Sequence, residues 1–124
     1  MPSPPAVWLK VCTTCDRQAP REPDVPSLGE RLADRIAVEL RGSSDADLIA
    51  LRRVPCLSGC KHPGNIALGA AGWTKIRLNS AALALSPMIA ALAVRYALSG
   101  DGALGIDDVP EELRTNLAAI IPPQ

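Results

Sequence analysis

The chain opens with an alternating pattern of apolar and other side chains. Every second residue from Val7 to Val11 is aliphatic, and the residues between them are Trp8 and Lys10. A period of two residues is typical of a strand with one buried face. The pattern therefore predicts a first strand that ends at Cys12.

A period of about four residues follows a proline-rich connection. Ser27 and Glu30 have the spacing of a capping box, in which serine caps the helix and glutamate reaches back to it. Aliphatic residues then recur on one helical face, at Leu28, Leu32, Ile36 and Leu40. This predicts an amphipathic helix that ends near Gly42.

The rest of the chain predicts three further strands and two helices. An apolar run from Leu48 to Val54 predicts a second strand, and residues 65–68 and 73–78 predict a hairpin joined by the small residues 69–72. Ser86 and Pro87 predict the start of a helix that stops at Gly100. The spacing of Leu113, Leu117 and Ile120 predicts a last helix from Pro110 to the prolines at 122 and 123.

These elements predict an α/β domain of order β-α-β-β-β-α with an extra C-terminal helix. A length of 124 residues fits a single domain, 1–124, and we expect the proline-rich residues 1–5 to be disordered. A strand, a helix and a second strand of similar length most often form a parallel pair in one sheet.

Charge and composition exclude several partners. The formal net charge is zero, so general attraction to nucleic acid or to an anionic membrane is not indicated. No signal peptide is apparent at the start, and no apolar run is long enough to span a bilayer. We therefore expect a cytoplasmic protein, in which cysteines bind metal or catalyse more often than they form disulfides.

The four cysteines form two close pairs, Cys12-x2-Cys15 and Cys56-x3-Cys60. Cys12 ends the first predicted strand, and Cys56 follows the second by one proline. Because parallel strands end at the same edge of a sheet, we expect all four sulfurs to meet there. Four thiolates complete the coordination of a soft metal centre.

Spacing alone leaves zinc and a [2Fe–2S] cluster open, since both accept four thiolates. Dithiol chemistry at Cys12 and Cys15 ranks third, because no predicted helix begins there to lower a thiol pKa. His62 is the one histidine, and we interpret it as a neighbour of the centre rather than a ligand. Lys61, Arg17 and Arg53 would place positive charge around it.

The segments Val11-Cys12-Thr13-Thr14-Cys15, Cys56-Leu57-Ser58-Gly59-Cys60 and Gly72-Trp73-Thr74 resemble a small bacterial family of predicted metal-binding proteins. The element order resembles the thioredoxin-like [2Fe–2S] ferredoxins. The resemblance implies that Cys12, Cys15, Cys56 and Cys60 are the ligands, that the protein forms a homodimer, and that it serves cobalamin-related metabolism.

We therefore predict a [2Fe–2S] ferredoxin-like electron carrier that is not itself an enzyme, with a redox protein as its partner and neither nucleic acid nor membrane. The alternative is a zinc-binding interaction module or a metal-handling accessory protein. No paired carboxylates, serine–histidine arrangement or glycine-rich phosphate loop indicates other chemistry.

Overall fold

A computed structural model describes residues 7–12, 28–42, 46–54, 65–79 and 82–122. Within these ranges the chain forms one mixed sheet with helices. Residues 1–5, predicted to be disordered, and the predicted helix cap at Ser27 lie outside the described residues.

Five strands form the sheet in the order β2-β1-β3-β4-β5. Strand β1 pairs in parallel with β2 and antiparallel with β3, and β4 pairs antiparallel with β3 and β5. The strands are β1, Val7–Cys12; β2, Ile49–Val54; β3, Ile66–Gly69; β4, Lys75–Leu78; and β5, Leu117–Ile121. The predicted parallel βαβ unit and the predicted hairpin are therefore confirmed.

Helix α1 spans Leu28–Arg41 and helix α2 spans Ser86–Leu98, close to the bounds that the sequence predicts. The structure begins α2 one residue earlier than predicted: Leu85, not Ser86, is its N-cap, and the Ser86 hydroxyl donates to the Leu83 carbonyl at 2.7 Å. Helix α2 stops before Gly100, whose φ of 86° is the left-handed conformation that glycine adopts readily.

The hydrophobic core lies on one face of the sheet. Because side chains alternate along a strand, one set of positions faces the helices. From the strands, that set supplies Val7, Leu9, Val11, Ile49, Ile66, Leu68, Ile76 and Leu78 to the core. Helices α1 and α2 complete it with side chains that include Leu32, Ile36, Ile89 and Leu92.

The opposite strand positions form a second face with a different composition. None of its side chains belongs to the core cluster. It carries Trp8, Lys10 and Cys12 from β1, and the other strands add Arg52 from β2, Ala67 and Gly69 from β3, and Lys75 and Arg77 from β4. We call this the basic face.

The predicted C-terminal helix over residues 110–121 is wrong. Helix α3 spans only Glu111–Arg114, and the chain then forms β5. Two hydrogen bonds join the turn before β5 to the end of β4. The Asn79 backbone N–H donates to the Asn116 carbonyl at 2.8 Å, and Asn116 Nδ2 donates to the Asn79 carbonyl at 3.1 Å. Pairing with β5 satisfies backbone groups that β4 would otherwise expose at the edge of the sheet. The β-branched pair Ile120 and Ile121 suits a strand.

No helix within the described ranges is long and apolar enough to cross a membrane.

Candidate metal centre

Cys12 is the last residue of β1, and it is fully buried. It lies between two strands: its register partner in β2 is Val54, and its backbone N–H donates to the carbonyl of Asn65, the residue before β3, at 3.1 Å. Cys12, the first predicted ligand, therefore lies in a central strand, at its carboxyl end, and is not in an exposed loop.

Residues 55–64 begin and end beside Cys12. The residue before this segment, Val54, is the register partner of Cys12. The residue after it, Asn65, accepts the Cys12 backbone N–H through its carbonyl. These ten residues carry Cys56 and Cys60. The connection that carries Cys15 leaves directly from Cys12. Both cysteine-bearing segments thus start from one point at one edge of the sheet, as the parallel pairing of β1 and β2 predicts.

Cys15, Cys56 and Cys60 lie outside the described residues, so their role as ligands stays a prediction. Within the described ranges, no group of three or more histidine, cysteine, aspartate or glutamate side chains could hold a metal ion. The described part of the candidate site is Cys12 with its neighbours across the sheet.

Asn65 is a functional candidate that the sequence patterns do not single out. Only 4% of it is exposed, which is unusual for an asparagine. The register Val11–Ile66 places Asn65 directly opposite Cys12. Opposed residues of an antiparallel pair point to the same side of the sheet, with Cβ atoms about 5 Å apart. The register therefore puts Asn65 beside Cys12 on the same side of the sheet, and its carboxamide carries N–H donors of the kind that a thiolate accepts.

Asparagines continue the same row across the sheet. The pairing of Ile66 with Leu78 puts Asn79 in the row of Asn65, and the Asn79 backbone N–H donates to the carbonyl of Asn116, the residue before β5. Among the described residues, the row that contains Cys12 therefore holds three asparagines and no charged side chain. A position just before a strand and just after a cysteine-bearing segment was the available signal in the sequence.

Arg53 does not contribute free charge to the site. Its guanidinium forms an ion pair with Asp34 of α1 at 2.6 Å and donates to the Glu30 carbonyl at 3.3 Å. Its position in β2 alternates with that of Val54, so it lies on the helix side of the sheet. The other residues predicted near the centre, Arg17, Lys61 and His62, lie outside the described residues.

Trp73 serves packing rather than the site. It lies in the β3–β4 connection, at the end of the sheet away from Cys12. Its ring lies 5.5 Å from that of Tyr96, centroid to centroid. The Tyr96 hydroxyl donates to the Thr74 carbonyl at 2.5 Å, and burial raises the pKa of Tyr96 to about 12. The pair anchors α2 to this connection.

A parallel βαβ unit continued by an antiparallel hairpin and a second helix defines a thioredoxin-like α/β domain. A family model described as "Protein of unknown function (DUF1636)" matches residues 9–123, and the chain belongs to that family. No protein with a curated description matches the chain.

Among solved structures, the chain is similar to a thioredoxin-like [2Fe–2S] ferredoxin from Aquifex aeolicus. The two are 12% identical, and the alignment covers 94% of each chain with a TM-score of 0.57. At this identity the likeness establishes the fold alone. The predicted α/β, thioredoxin-like fold class is confirmed, except for the C-terminal helix described above.

Proposed function

We propose that the protein is a [2Fe–2S] electron carrier whose cluster is held by Cys12, Cys15, Cys56 and Cys60. The observation that carries this proposal is the position of Cys12, because the chain that bears Cys56 and Cys60 leaves and returns at its two strand neighbours. The fold of the Aquifex ferredoxin supports the same reading.

Covalent geometry limits the distance between the two cysteine pairs. Neighbouring strands lie about 4.8 Å apart, and a residue extends a chain by at most about 3.6 Å. Cys56 is the second residue after Val54, so its Cα is within about 12 Å of the Cα of Cys12. Cys15 is three residues from Cys12 and within about 11 Å. Both distances allow the sulfurs to share one centre.

The residues present fit such a group. Four thiolates are the ligand set of a [2Fe–2S] cluster, and Cys12 supplies the first from a site that water does not reach. When bound, the cluster supplies a one-electron redox couple. Because the four thiolates fill the protein-ligand positions, none is left for a substrate, which favours an electron carrier over an enzyme.

Zinc is the second candidate. The spacing Cys12-x2-Cys15 is that of a structural zinc knuckle, and the described geometry of Cys12 serves either metal. In this case the protein would be an interaction module or would handle metal for delivery. The cytoplasmic location and the link to cobalamin-related metabolism stay predictions under both candidates.

Metal analysis of protein purified without oxygen tests the proposal. We expect about two iron and two sulfide per chain, negligible zinc, and a red-brown colour that dithionite bleaches. Substitution Cys56→Ala should abolish the centre, and Ser58→Ala, in the same segment, should retain it. Zinc without sulfide would favour the second candidate, and full metal retention in Cys56→Ala would contradict the ligand assignment.

A further inference from the structure

Every charged side chain in the five strands is a cation. These are Lys10, Arg52, Arg53, Lys75 and Arg77. Arg53 lies on the helix side and pairs with Asp34. The other four share the basic face.

The cations of the basic face lie in register. Arg52 is the partner of Lys10 in β2, Lys10 is opposite Ala67 in β3, and Ala67 is opposite Arg77 in β4. Three strand spacings make this row about 14 Å wide. Cys12 occupies the next row on the same face, two residues along β1 from Lys10. The positive charge is therefore adjacent to the candidate metal centre.

Overall composition does not explain this charge, because the formal net charge of the chain is zero. The carboxylates of the described chain all lie outside the strands, in helices and connections. They are Glu30, Asp34, Glu39, Asp47, Asp101, Asp107, Asp108, Glu111 and Glu112. Among the described residues, the basic face therefore carries four cations and no carboxylate, and it does not contribute to the core.

Aromatic and small residues shape the rest of the basic face. The Trp8 ring lies against Gly69, where an added Cβ would come within 2.2 Å of ring atoms. The Lys10 ammonium lies 4.4 Å from the centroid of the same ring, which is cation–π geometry. Trp8 therefore holds Lys10 in place, and Arg52 and Lys75 are exposed on either side.

We propose that the basic face is the docking surface for an acidic protein surface, and that this protein exchanges electrons with the centre beside Cys12. The electron-exchange part rests on the proposed function; the docking part does not. Complementary charge near a redox site orients a partner and raises its association rate. A protein fits better than nucleic acid, because Trp8 is already packed between Gly69 and Lys10 and offers no free platform on which a base could stack.

Binding to poly-L-glutamate, an acidic polypeptide, tests the docking surface with the full chain at low ionic strength. We expect the double variant Arg52→Gln/Lys75→Gln to bind about fivefold or more weakly than the wild type. The control Arg31→Gln/Arg35→Gln removes two exposed charges from α1 and should bind within about twofold of the wild type. Lys10→Gln removes another cation of the basic face and should also weaken binding. Circular dichroism verifies that each variant is folded.

Three outcomes would overturn the docking surface: no binding of poly-L-glutamate by the wild type, equal weakening in both double variants, or tighter binding of a single-stranded oligonucleotide. Failure of the proposed function is observed separately, as the absence of iron and sulfide. In that case weakened binding in Arg52→Gln/Lys75→Gln would still identify the docking surface, and only electron exchange there would be withdrawn.

Discussion

The positions of Cys12 and Asn65 show how strand register makes an ordinary residue a candidate for the site. Asn65 is unremarkable in the sequence, where it reads as the start of a short strand. In the sheet it lies opposite a fully buried cysteine and is itself almost completely buried. N–H donors near thiolate sulfurs favour the more negatively charged, reduced state of an iron–sulfur centre.

If the protein holds the proposed [2Fe–2S] cluster, replacing Asn65 with leucine should therefore lower its reduction potential, by on the order of 50 mV. Leucine keeps a side chain of similar size but removes the donors. Potentiometric titration of the purified protein measures the shift, and iron and sulfide content verifies that the centre is intact. The control Asn79→Leu makes the same change two strands away and should leave the potential unaltered. An unchanged potential in Asn65→Leu would show that the carboxamide is only structural.

The end of α2 illustrates how neighbouring elements constrain a connection. After α2 the chain passes the β3–β4 connection, where the Thr74 amide donates to the Asp101 carbonyl at 3.0 Å. Gly100 and Gly102 both have positive φ, of 86° and 69°. A Cβ on Gly100 would meet nothing within 4 Å, whereas a Cβ on Gly102 would lie 2.6 Å from both the Thr74 carbonyl oxygen and the Tyr96 ring.

Alanine at these two glycines should consequently have unequal effects. Gly100→Ala introduces only the strain of a left-handed residue, about 1 kcal/mol. Gly102→Ala adds a steric clash with backbone and a buried ring, so we expect it to lower the free energy of unfolding by about 2 kcal/mol more. Urea denaturation of both variants, followed by circular dichroism, measures the difference. Equal destabilisation would mean that the connection moves away from Tyr96 at little cost.

The distribution of strands and charges is a property of the complete sheet. Strand β5 covers one side of β4, so the C-terminal residues protect an edge that would otherwise be open to pairing with other chains. Ile120 and Ile121 are themselves about two-fifths exposed, at 38% and 39%. They contribute to stability mainly through the backbone hydrogen bonds that pair β5 with β4.

A chain that ends at Asn116 should therefore be less stable and should associate. Loss of β5 removes its backbone ladder and exposes apolar surface on β4, for which we expect at least about 2 kcal/mol of lost unfolding free energy. A chain that ends at Ile121 retains β5 and serves as the control. Urea denaturation measures stability, and size-exclusion chromatography at several concentrations measures association. Identical behaviour of the two truncated chains would show that β5 is dispensable.

Local sequence patterns were sufficient to predict most of the strands and helices of this protein. The alternation before Cys12, the four-residue period of α1 and the Ser86-Pro87 start of α2 predict their elements because each depends on contacts close in sequence. Chain order and matching lengths also predict the parallel pairing of β1 with β2, and hence the edge where Cys12 lies.

Long-range contacts decided the rest. Residues 117–121 form a strand because β4 offers an unpaired edge, although their spacing also suits a helix. Strand register puts Asn65 opposite Cys12. It also puts Arg52, Lys10 and Arg77 in one row across the sheet. Register joins residues far apart along the chain, so no local period of the sequence contains it.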